Sequence, residues 1–330
     1  MVWAIRTYGP IVKGMGRVLH SMTHLTFDND AMHPQPSLSR PNQTMQEIPV
    51  FYDERQVATL ESFSPSAGKP SLLIQSWVDQ ALPITLMPVT PVSREQLSLA
   101  HDRGYVDAVL ELRKNNGFGE RSQGVADSLP WTTGSLLSAA RHVLETQSVA
   151  VSPTSGFHHA RYRHAFGFCT FNGLMVTARV LLEEKRVSKI GILDCDYHFG
   201  DGTAEIIRQL GLEDAVVHVT SGAGYTCESE RFFPDLERAL QKFAHCDLLL
   251  YQAGADAHVD DPLGGFLTSA QMALRDRMVF ESTRSQGIPV VWNLAGGYQT
   301  PVSKVIDMHT ATLTECIRVY LVSSEKGHAQ

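Results

Sequence analysis

Acidic and imidazole side chains alternate at the end of one apolar run of the sequence. The run Ile190–Leu193 continues into Asp194, Asp196 and His198, which occupy every second position. Alternate residues of a β-strand face the same side of a sheet. Carboxylates and an imidazole crowded on one face are costly unless a positive charge lies among them. The spacing therefore predicts a metal ion at the end of this strand.

Other apolar runs also end in polar side chains that could act with such an ion. They are His158 and His159 after Ser148–Ser152, Asp256 after Asp247–Gln252, and Tyr298 after Ile288–Leu294. In a parallel sheet the carboxyl ends of the strands lie at one edge, where the functional site is normally found. The sequence thus predicts one site built from several separate segments.

Each motif alone has an ordinary structural interpretation. The Asp196–His198 step is common in solvated loops, and Asp201 could cap the helix that "GTAEII" begins. Adjacent histidines such as His158 and His159 also occur in many loops. The functional interpretation is favoured because all the motifs follow strands of the same kind and supply complementary chemistry.

The elements that must position these residues alternate along the chain. The predicted strands are Ile48–Tyr52, Ile84–Pro88, Ser148–Ser152, Lys189–Asp194, Ala215–Thr220, Asp247–Gln252 and Ile288–Leu294. Amphipathic helical patterns between them include Ser135–Glu145, Asn172–Lys185, Ser229–Phe243 and Ser269–Ser285. Apolar strands that alternate with helices predict an α/β fold with a mainly parallel sheet covered on both faces.

Composition limits the compartment and the partners. The 330 residues carry a formal net charge of -7 and include 5 cysteines. The cysteines are scattered without a C-x-x-C pair, which favours reduced thiols in a cytoplasmic protein. The acidic balance disfavours a nucleic-acid partner, and no apolar run is long enough to predict a membrane span. The oligomeric state is left open.

The N-terminal segment differs from the rest of the chain. Residues 1–26 contain basic residues but no acidic one, a pattern that a transit peptide can show. The Pro, Ser, Asn and Gln residues that follow favour either a disordered extension or an over-long start for residues 1–47. One catalytic domain is predicted over residues 48–330, because no linker composition interrupts the later pattern.

Four segments together resemble the signature blocks of the histone deacetylase superfamily, which includes acetylpolyamine amidohydrolases and acetoin-utilisation proteins. They are "SGFHHARYRHAFGFCTFN" (Ser155–Asn172), "ILDCDYHFGDGT" (Ile192–Thr203), "GADAHVDDPLGG" (Gly254–Gly265) and "NLAGGY" (Asn293–Tyr298). The blocks occur in the family's order. The resemblance implies a single-domain arginase/deacetylase-type fold and a zinc-dependent deacetylase that hydrolyses linear amides.

The resemblance also implies a role for each matching residue. The implied roles are metal ligand for Asp196, His198 and Asp256; catalysis for His158, His159 and Tyr298; orientation of the histidines for Asp194 and Asp201; and substrate binding for Gly167, Phe168 and Leu263.

Elementary chemistry agrees with these roles. Three protein ligands leave a coordination position open for water and a carbonyl oxygen. A histidine is a suitable base near neutral pH, and the Tyr298 hydroxyl could stabilise a developing oxyanion. A carboxylate-rich ligand set selects zinc less strictly than sulfur ligands do. Zn²⁺ is therefore the predicted ion, with Fe²⁺ as the alternative.

Several positions depart from the family pattern. Phe199 replaces a second histidine, and His218 replaces a serine that often lines a structural potassium site, so K⁺ binding is left undecided. The segment "SAGKP" stands in place of "HPERP", and the chemistry is predicted not to depend on it. Leu263 stands where relatives specialised for acetylated polyamines often carry an acid.

The segment between Val219 and Asp256 is short compared with relatives that place an aromatic tunnel wall there. Phe168 would form one wall, and Tyr225 is either its partner or an ordinary loop aromatic. The expected consequence is an open site mouth with an apolar rim at Leu263. Broad and rather slow deacylation of small acyl-amides follows as the prediction.

The predicted function is metal-dependent hydrolysis of an N-acylated amine, either a small acyl-amine or an acetyl-lysine peptide. One alternative is an arginase-like binuclear ureohydrolase, because Asp256–Asp260 reads "DAHVD". Such enzymes need a second aspartate-rich motif and lack the paired histidines. The other alternative is a non-catalytic pseudo-deacetylase that binds acyl-amines or a protein partner.

Overall fold

The computed structural model describes residues 46–221 and 229–321. Its strands are β1 (Ile48–Phe51), β2 (Ile84–Met87), β3 (Val149–Ser152), β4 (Ile190–Asp194), β5 (Val216–Thr220), β6 (Leu248–Gly254) and β7 (Val290–Ala295). They form one central parallel sheet in the order β2-β1-β3-β7-β6-β4-β5. Each lies where the sequence predicts a strand. Parallel strands are buried on both faces, so they appear in the sequence as short, nearly continuous apolar runs.

Helices connect the strands and cover the sheet. They are α1 (Lys69–Asp79), α2 (Arg94–Leu97), α3 (Arg103–Leu110), α4 (Gln123–Thr146), α5 (Gly173–Glu183), α6 (Asp201–Leu210), α7 (Ser229–Gln241), α8 (Ser269–Gln286) and α9 (Ser303–Tyr320). Helix α4 begins well before the predicted start at Ser135 and contains Pro130. Proline disfavours a helix interior, but here the side chains before it, such as Val125 and Ala126, are buried in the core.

The two faces of the sheet bury separate apolar clusters, and the strands alternate between them. Leu248 and Leu250 point into a cluster with α3, α4, α5 and α6. Leu249 and Tyr251 point into a cluster with α1, α7, α8 and α9. The period of two expected of a strand thus fixes which helices pack on which face.

The topology gathers the residues with candidate chemistry. Strands β3, β7, β6 and β4 are adjacent in the middle of the sheet and run in the same direction. Their carboxyl ends meet at one edge, as the sequence predicts. Within the described ranges no helix is both long and apolar enough to cross a bilayer.

Candidate active site

A compact cluster of ligand-type side chains lies beyond β4 and β6. Asp196, His198 and Asp256 each place one ligand atom within 4.8 Å of the others. The His198 Nδ1 atom lies 2.9 Å from Asp256 Oδ2 and 3.1 Å from Asp196 Oδ1. Strand β4 ends at Asp194, so Asp196 and His198 come from the following loop rather than from one strand face. Asp196, His198 and Asp256 lie together as expected, but only Asp194 is part of the strand, so Asp194, Asp196 and His198 do not share one strand face.

The cluster carries an excess of negative charge in a buried position. Asp196 is 2% exposed and Asp256 is fully buried. Burial and the adjacent Asp196 carboxylate raise the pKa of Asp256 to about 7. Hydrogen bonds to Asp196 and Asp256 raise the pKa of His198 to about 10. A bound cation would displace the protons that now neutralise these crowded carboxylates. This donor set therefore fits a divalent metal.

The loop after β3 places two imidazoles beside this cluster. The ring centroids of His158 and His159 are 4.0 Å apart. His158 Nδ1 lies 2.8 Å from Asp194 Oδ2, and His159 Nδ1 lies 2.6 Å from Asp201 Oδ1. Asp201 is the first residue of α6, after the N-cap residue Gly200, so it serves His159 rather than capping the helix.

The carboxylates give the two imidazoles different electrostatic environments. Burial disfavours the charged ring of His158, but the Asp194 and Asp196 carboxylates outweigh it and raise its pKa to about 9. Burial and the positive charge of His158 lower the pKa of His159. A divalent cation at the cluster would offset part of the effect of Asp196 on His158. The pair therefore combines one imidazole that favours its protonated form with one that favours its neutral form and so has a free nitrogen lone pair.

A glycine turn after β7 carries Tyr298. Gly296 and Gly297 have φ angles of +48° and +89°, which side chains disfavour. A Cβ atom on Gly296 would lie 2.2 Å from the Asp256 carboxyl carbon, so the turn passes directly over that carboxylate. Tyr298 lines the same cavity as His158 and Asp196. Burial and the Asp196 charge raise the pKa of Tyr298, which keeps its hydroxyl protonated as a donor.

The family model of the histone deacetylase domain matches residues 65–239 and 217–313, which together cover more than half of the chain. The chain belongs to the histone deacetylase family. An uncharacterised protein of Picosynechococcus is 28% identical over 66% of this chain and 80% of its own length. Family membership supports a hydrolase of the deacetylase or amidohydrolase type.

Solved structures show the same fold. The crystal structure of the HDA15 HD domain aligns with a TM-score of 0.67 at 20% identity, over 84% of this chain and 89% of that one. An acetylpolyamine aminohydrolase from Burkholderia pseudomallei aligns with a TM-score of 0.61 at 18% identity, over 83% and 99%. The predicted family and the predicted arginase/deacetylase-type fold are confirmed.

The remaining site contacts of this deacetylase family member include residues that sequence reasoning did not single out. Gln252, at the end of β6, donates a 2.8 Å hydrogen bond to Asp194 Oδ1. Asp261 Oδ2 accepts a 2.8 Å hydrogen bond from the Tyr298 N–H. Gln252 lies two residues before the end of β6 and Asp261 lies in the loop that follows it; both contact candidate site residues. Their position near the end of β6 was the available signal, but their partners became visible only in three dimensions.

Lys69 makes the most unusual of these contacts. The side chain is fully buried, and its Nζ atom donates a 2.6 Å hydrogen bond to the Gly296 carbonyl. Nζ also lies 3.4 Å from His309 Nε2. Burial lowers the pKa of Lys69 to about 8, against the attraction of Asp256 and other nearby acids. Lys69 and Asp261 thus hold the Tyr298 turn from its two ends.

Lys69 belongs to "SAGKP", a segment on which the chemistry was predicted not to depend, so its contact provides a direct test. Lys69→Met is expected to lower kcat by about tenfold to a hundredfold and to change KM little. A hydrogen bond from a charged donor contributes about 1.5–3 kcal/mol, and its loss frees the Tyr298 turn. Steady-state kinetics with measured metal content would check this, with Lys304→Met as an exposed-lysine control. Unchanged kcat in Lys69→Met would uphold the original prediction.

Of the predicted substrate-binding residues, Gly167 and Phe168 line the cavity that Tyr298 also lines. Leu263 lies outside this lining but contacts Asp261, which holds the Tyr298 turn. A Cβ atom on Gly167 would lie 2.6 Å from the His159 ring, so this glycine allows close contact between loop and histidine. Phe168 has a φ of +62°, and its ring lies 6.0 Å from that of Tyr298. Leu263 is 40% exposed, and its N–H donates to Asp261 Oδ1. Tyr225 lies outside the described residues.

Two further histidines bear on the alternatives. His258, the third residue of "DAHVD", accepts a hydrogen bond from the Asp260 N–H at Nδ1, and its Nε2 lies 3.0 Å from Ser269 Oγ. Both ring nitrogens therefore have partners outside the Asp196–His198–Asp256 cluster, which disfavours a binuclear ureohydrolase. Burial lowers the pKa of His218, and a neutral imidazole nitrogen is a poor substitute for the oxygen ligands that K⁺ prefers.

Proposed function

We propose that this chain hydrolyses N-acylated amines, most simply N-acetyl amides, to the free amine and a carboxylate. The observation that carries the proposal is the meeting of the Asp196–His198–Asp256 cluster with two carboxylate-bound histidines and Tyr298 at one strand-end cavity. A pseudo-deacetylase would not need to keep all of these groups in place.

Zn²⁺ is the proposed ion, held by Asp196, His198 and Asp256, with Fe²⁺ as the alternative. Such an ion would polarise the scissile carbonyl and lower the pKa of a bound water. The chain's own contribution lies in the groups around it. Asp201 occupies His159 Nδ1, so His159 Nε2 is the nitrogen left to take the proton of the attacking water.

The other polar groups act on the charge that develops as the C–N bond breaks. The Tyr298 hydroxyl donates a hydrogen bond to the carbonyl oxygen as it becomes an oxyanion. His158, held by Asp194, stabilises this anionic stage and shuttles a proton toward the departing amine. Asp194 and Asp201 fix which nitrogen of each ring is available, as outer partners of a metal site commonly do.

The first test is hydrolysis of an acetyl-lysine reporter and a small acetylated alkylamine by the zinc-loaded protein. Release of acetate that a hydroxamate blocks and a chelator abolishes would support the proposal. Arginine with manganese is the control for the ureohydrolase alternative, and it should yield no urea. Tight binding of acyl-amides without any turnover would overturn the enzyme and favour the binding module.

The pH dependence should report His159. The base acts unprotonated, and its pKa lies below the usual histidine range, so kcat/KM should rise with pH and level off on the acid side of neutrality. His159→Ala should lose this activity, whereas His164→Ala removes an exposed histidine of the same loop and should not. The profile is measured at saturating Zn²⁺ with metal content checked at each pH. Near-normal activity in His159→Ala would refute the assigned role.

The proposed function also suggests a class of substrate and a cellular compartment. An acetyl-lysine peptide or a small acyl-amine would enter the cavity lined by His158, Asp196 and Tyr298. We propose a cytoplasmic location because Cys169, Cys195, Cys246 and Cys316 are buried free thiols.

A further inference from the structure

Two exposed phenylalanine side chains lie directly against the proposed catalytic groups. The Phe63 ring lies 5.6 Å from the Tyr298 ring at an interplanar angle of 13°, so the two rings are stacked. The Phe166 ring meets His159 edge-on at 5.7 Å. Phe63 is 60% exposed and Phe166 is 56% exposed. We call these two side chains, together with Phe168, the aromatic rim.

The chain anchors the aromatic rim on both sides of the cavity. Phe63 precedes Ser64, which lines the cavity, and Phe166 and Phe168 flank Gly167, which lines it too. The Phe166 N–H donates to the Cys169 carbonyl, and the Cys169 N–H donates back to Phe166. Phe63 stacks on Tyr298 through one face and is still 60% exposed, so its other face is the one available to a ligand. Exposed rings in this position present a flat apolar surface to whatever projects from the cavity.

The charged groups next to the aromatic rim are largely engaged with the protein. Arg161 pairs with Asp201, and Asp261 accepts hydrogen bonds from the Tyr298 and Leu263 N–H groups. Glu61 is an exposed acid two residues from Phe63, where water screens its charge. Among the described residues, an ammonium group would therefore find little fixed countercharge at the rim. An exposed cation–π contact with a phenylalanine adds only about twofold to fivefold in affinity.

An aromatic group on the substrate would gain more affinity than an ammonium group at the aromatic rim. Offset stacking between rings adds up to about tenfold, and the apolar area removed from water adds to that. We infer that the preferred substrates are acyl-amides whose amine part carries an aromatic ring, and that this ring stacks on the open face of Phe63. The inference rests on the proposed function and specifies its substrate class.

The test compares three acetyl amides that differ only in the amine part. They are N-acetyl-2-phenylethylamine, N-acetyl-2-cyclohexylethylamine and monoacetylated 1,5-diaminopentane. The phenyl and cyclohexyl groups are similar in size and apolar character, so their ratio isolates stacking. The zinc-loaded wild-type chain is expected to show kcat/KM for the phenyl amide about tenfold above both others, equal to about 1.4 kcal/mol.

Variants at position 63 assign the preference to one side chain. Phe63→Leu keeps an apolar group without a ring, and the phenyl-to-cyclohexyl ratio should fall to about one. Phe63→Tyr keeps the ring and should restore the ratio. Leu274→Ala removes an exposed apolar side chain of α8 and serves as the matched control. The ratio is the readout because any general disturbance of Tyr298 would affect both substrates alike.

Each outcome bears on one of the two proposals. If none of the three amides and no acetyl-lysine peptide is hydrolysed, the proposed function fails. If the amides are hydrolysed with a ratio near one, or with the ratio unchanged in Phe63→Leu, the inference about Phe63 is wrong and the function stands. The inference about Phe63 would also be wrong if the enzyme preferred the monoacetylated diamine and lost this preference in Glu61→Gln. Recognition would then depend on the Glu61 carboxylate.

Discussion

Tyr298→Phe is expected to lower kcat for an acetyl amide by about a hundredfold to a thousandfold, which is the usual cost of one oxyanion donor. The ring would keep its place on the Gly296–Gly297 turn, because the N–H of residue 298 still donates to Asp261. KM should change little, since the lost hydrogen bond strengthens only as charge develops on the carbonyl oxygen. Steady-state kinetics on the zinc-loaded protein would measure both constants.

A matched control separates this role from a packing role. Tyr162→Phe removes the hydroxyl of another partly buried tyrosine, which packs against the core near the His158–His159 loop. It should leave kcat close to the wild-type value. Equal metal content and unfolding temperature in both variants would show that the site is intact. Unchanged turnover in Tyr298→Phe would mean that Tyr298 is only a turn residue.

The strands were the most predictable part of the fold. The inner strands are buried on both faces, so a run such as Leu248–Tyr251 is apolar at every position and stands out without any periodicity. The start of α4 was less predictable, because Pro130 locally disfavours a helix that tertiary burial stabilises. Sequence patterns thus predict which residues are buried. They predict less well where tertiary packing overrides the local preference of a residue against helix.

The same limit applies to the site. The proximity of Asp196, His198 and Asp256 to the paired histidines was predictable because several chemical groups recur at strand ends, and parallel topology brings those ends together. Phe63 lies in the loop before α1 and Lys69 is the first residue of that helix, and neither has a local pattern that indicates its partner. The contact from Lys69 to Gly296 joins residues 227 positions apart. Such pairs depend on how the loop packs, which spacing alone does not determine.

Asp256→Asn is expected to remove metal binding and, with it, activity. The substitution keeps the side-chain size and an oxygen that can accept the Tyr197 N–H, which Asp256 Oδ1 now accepts at 3.1 Å. It removes a negative charge from a ligand set of two carboxylates and one imidazole. Replacing even an outer partner of a metal ligand typically costs 10-fold to 100-fold in affinity, so loss of a ligand charge should cost more than about a hundredfold.

Metal content and unfolding temperature give independent readouts of this change. Both proteins are stripped with a chelator, dialysed, and titrated with Zn²⁺ while the metal content and the Tm are followed. A ligand that binds only the folded state raises the Tm, so the wild type should gain stability on titration and Asp256→Asn should not. Asp260→Asn is the control, because that nearby carboxylate is 68% exposed and lies outside the cluster. If Asp256→Asn retained a full equivalent of zinc with a wild-type rise in Tm, the cation would have to be held without Asp256. The crowding of Asp196, His198 and Asp256 would then need a different explanation, such as a proton shared between the two carboxylates.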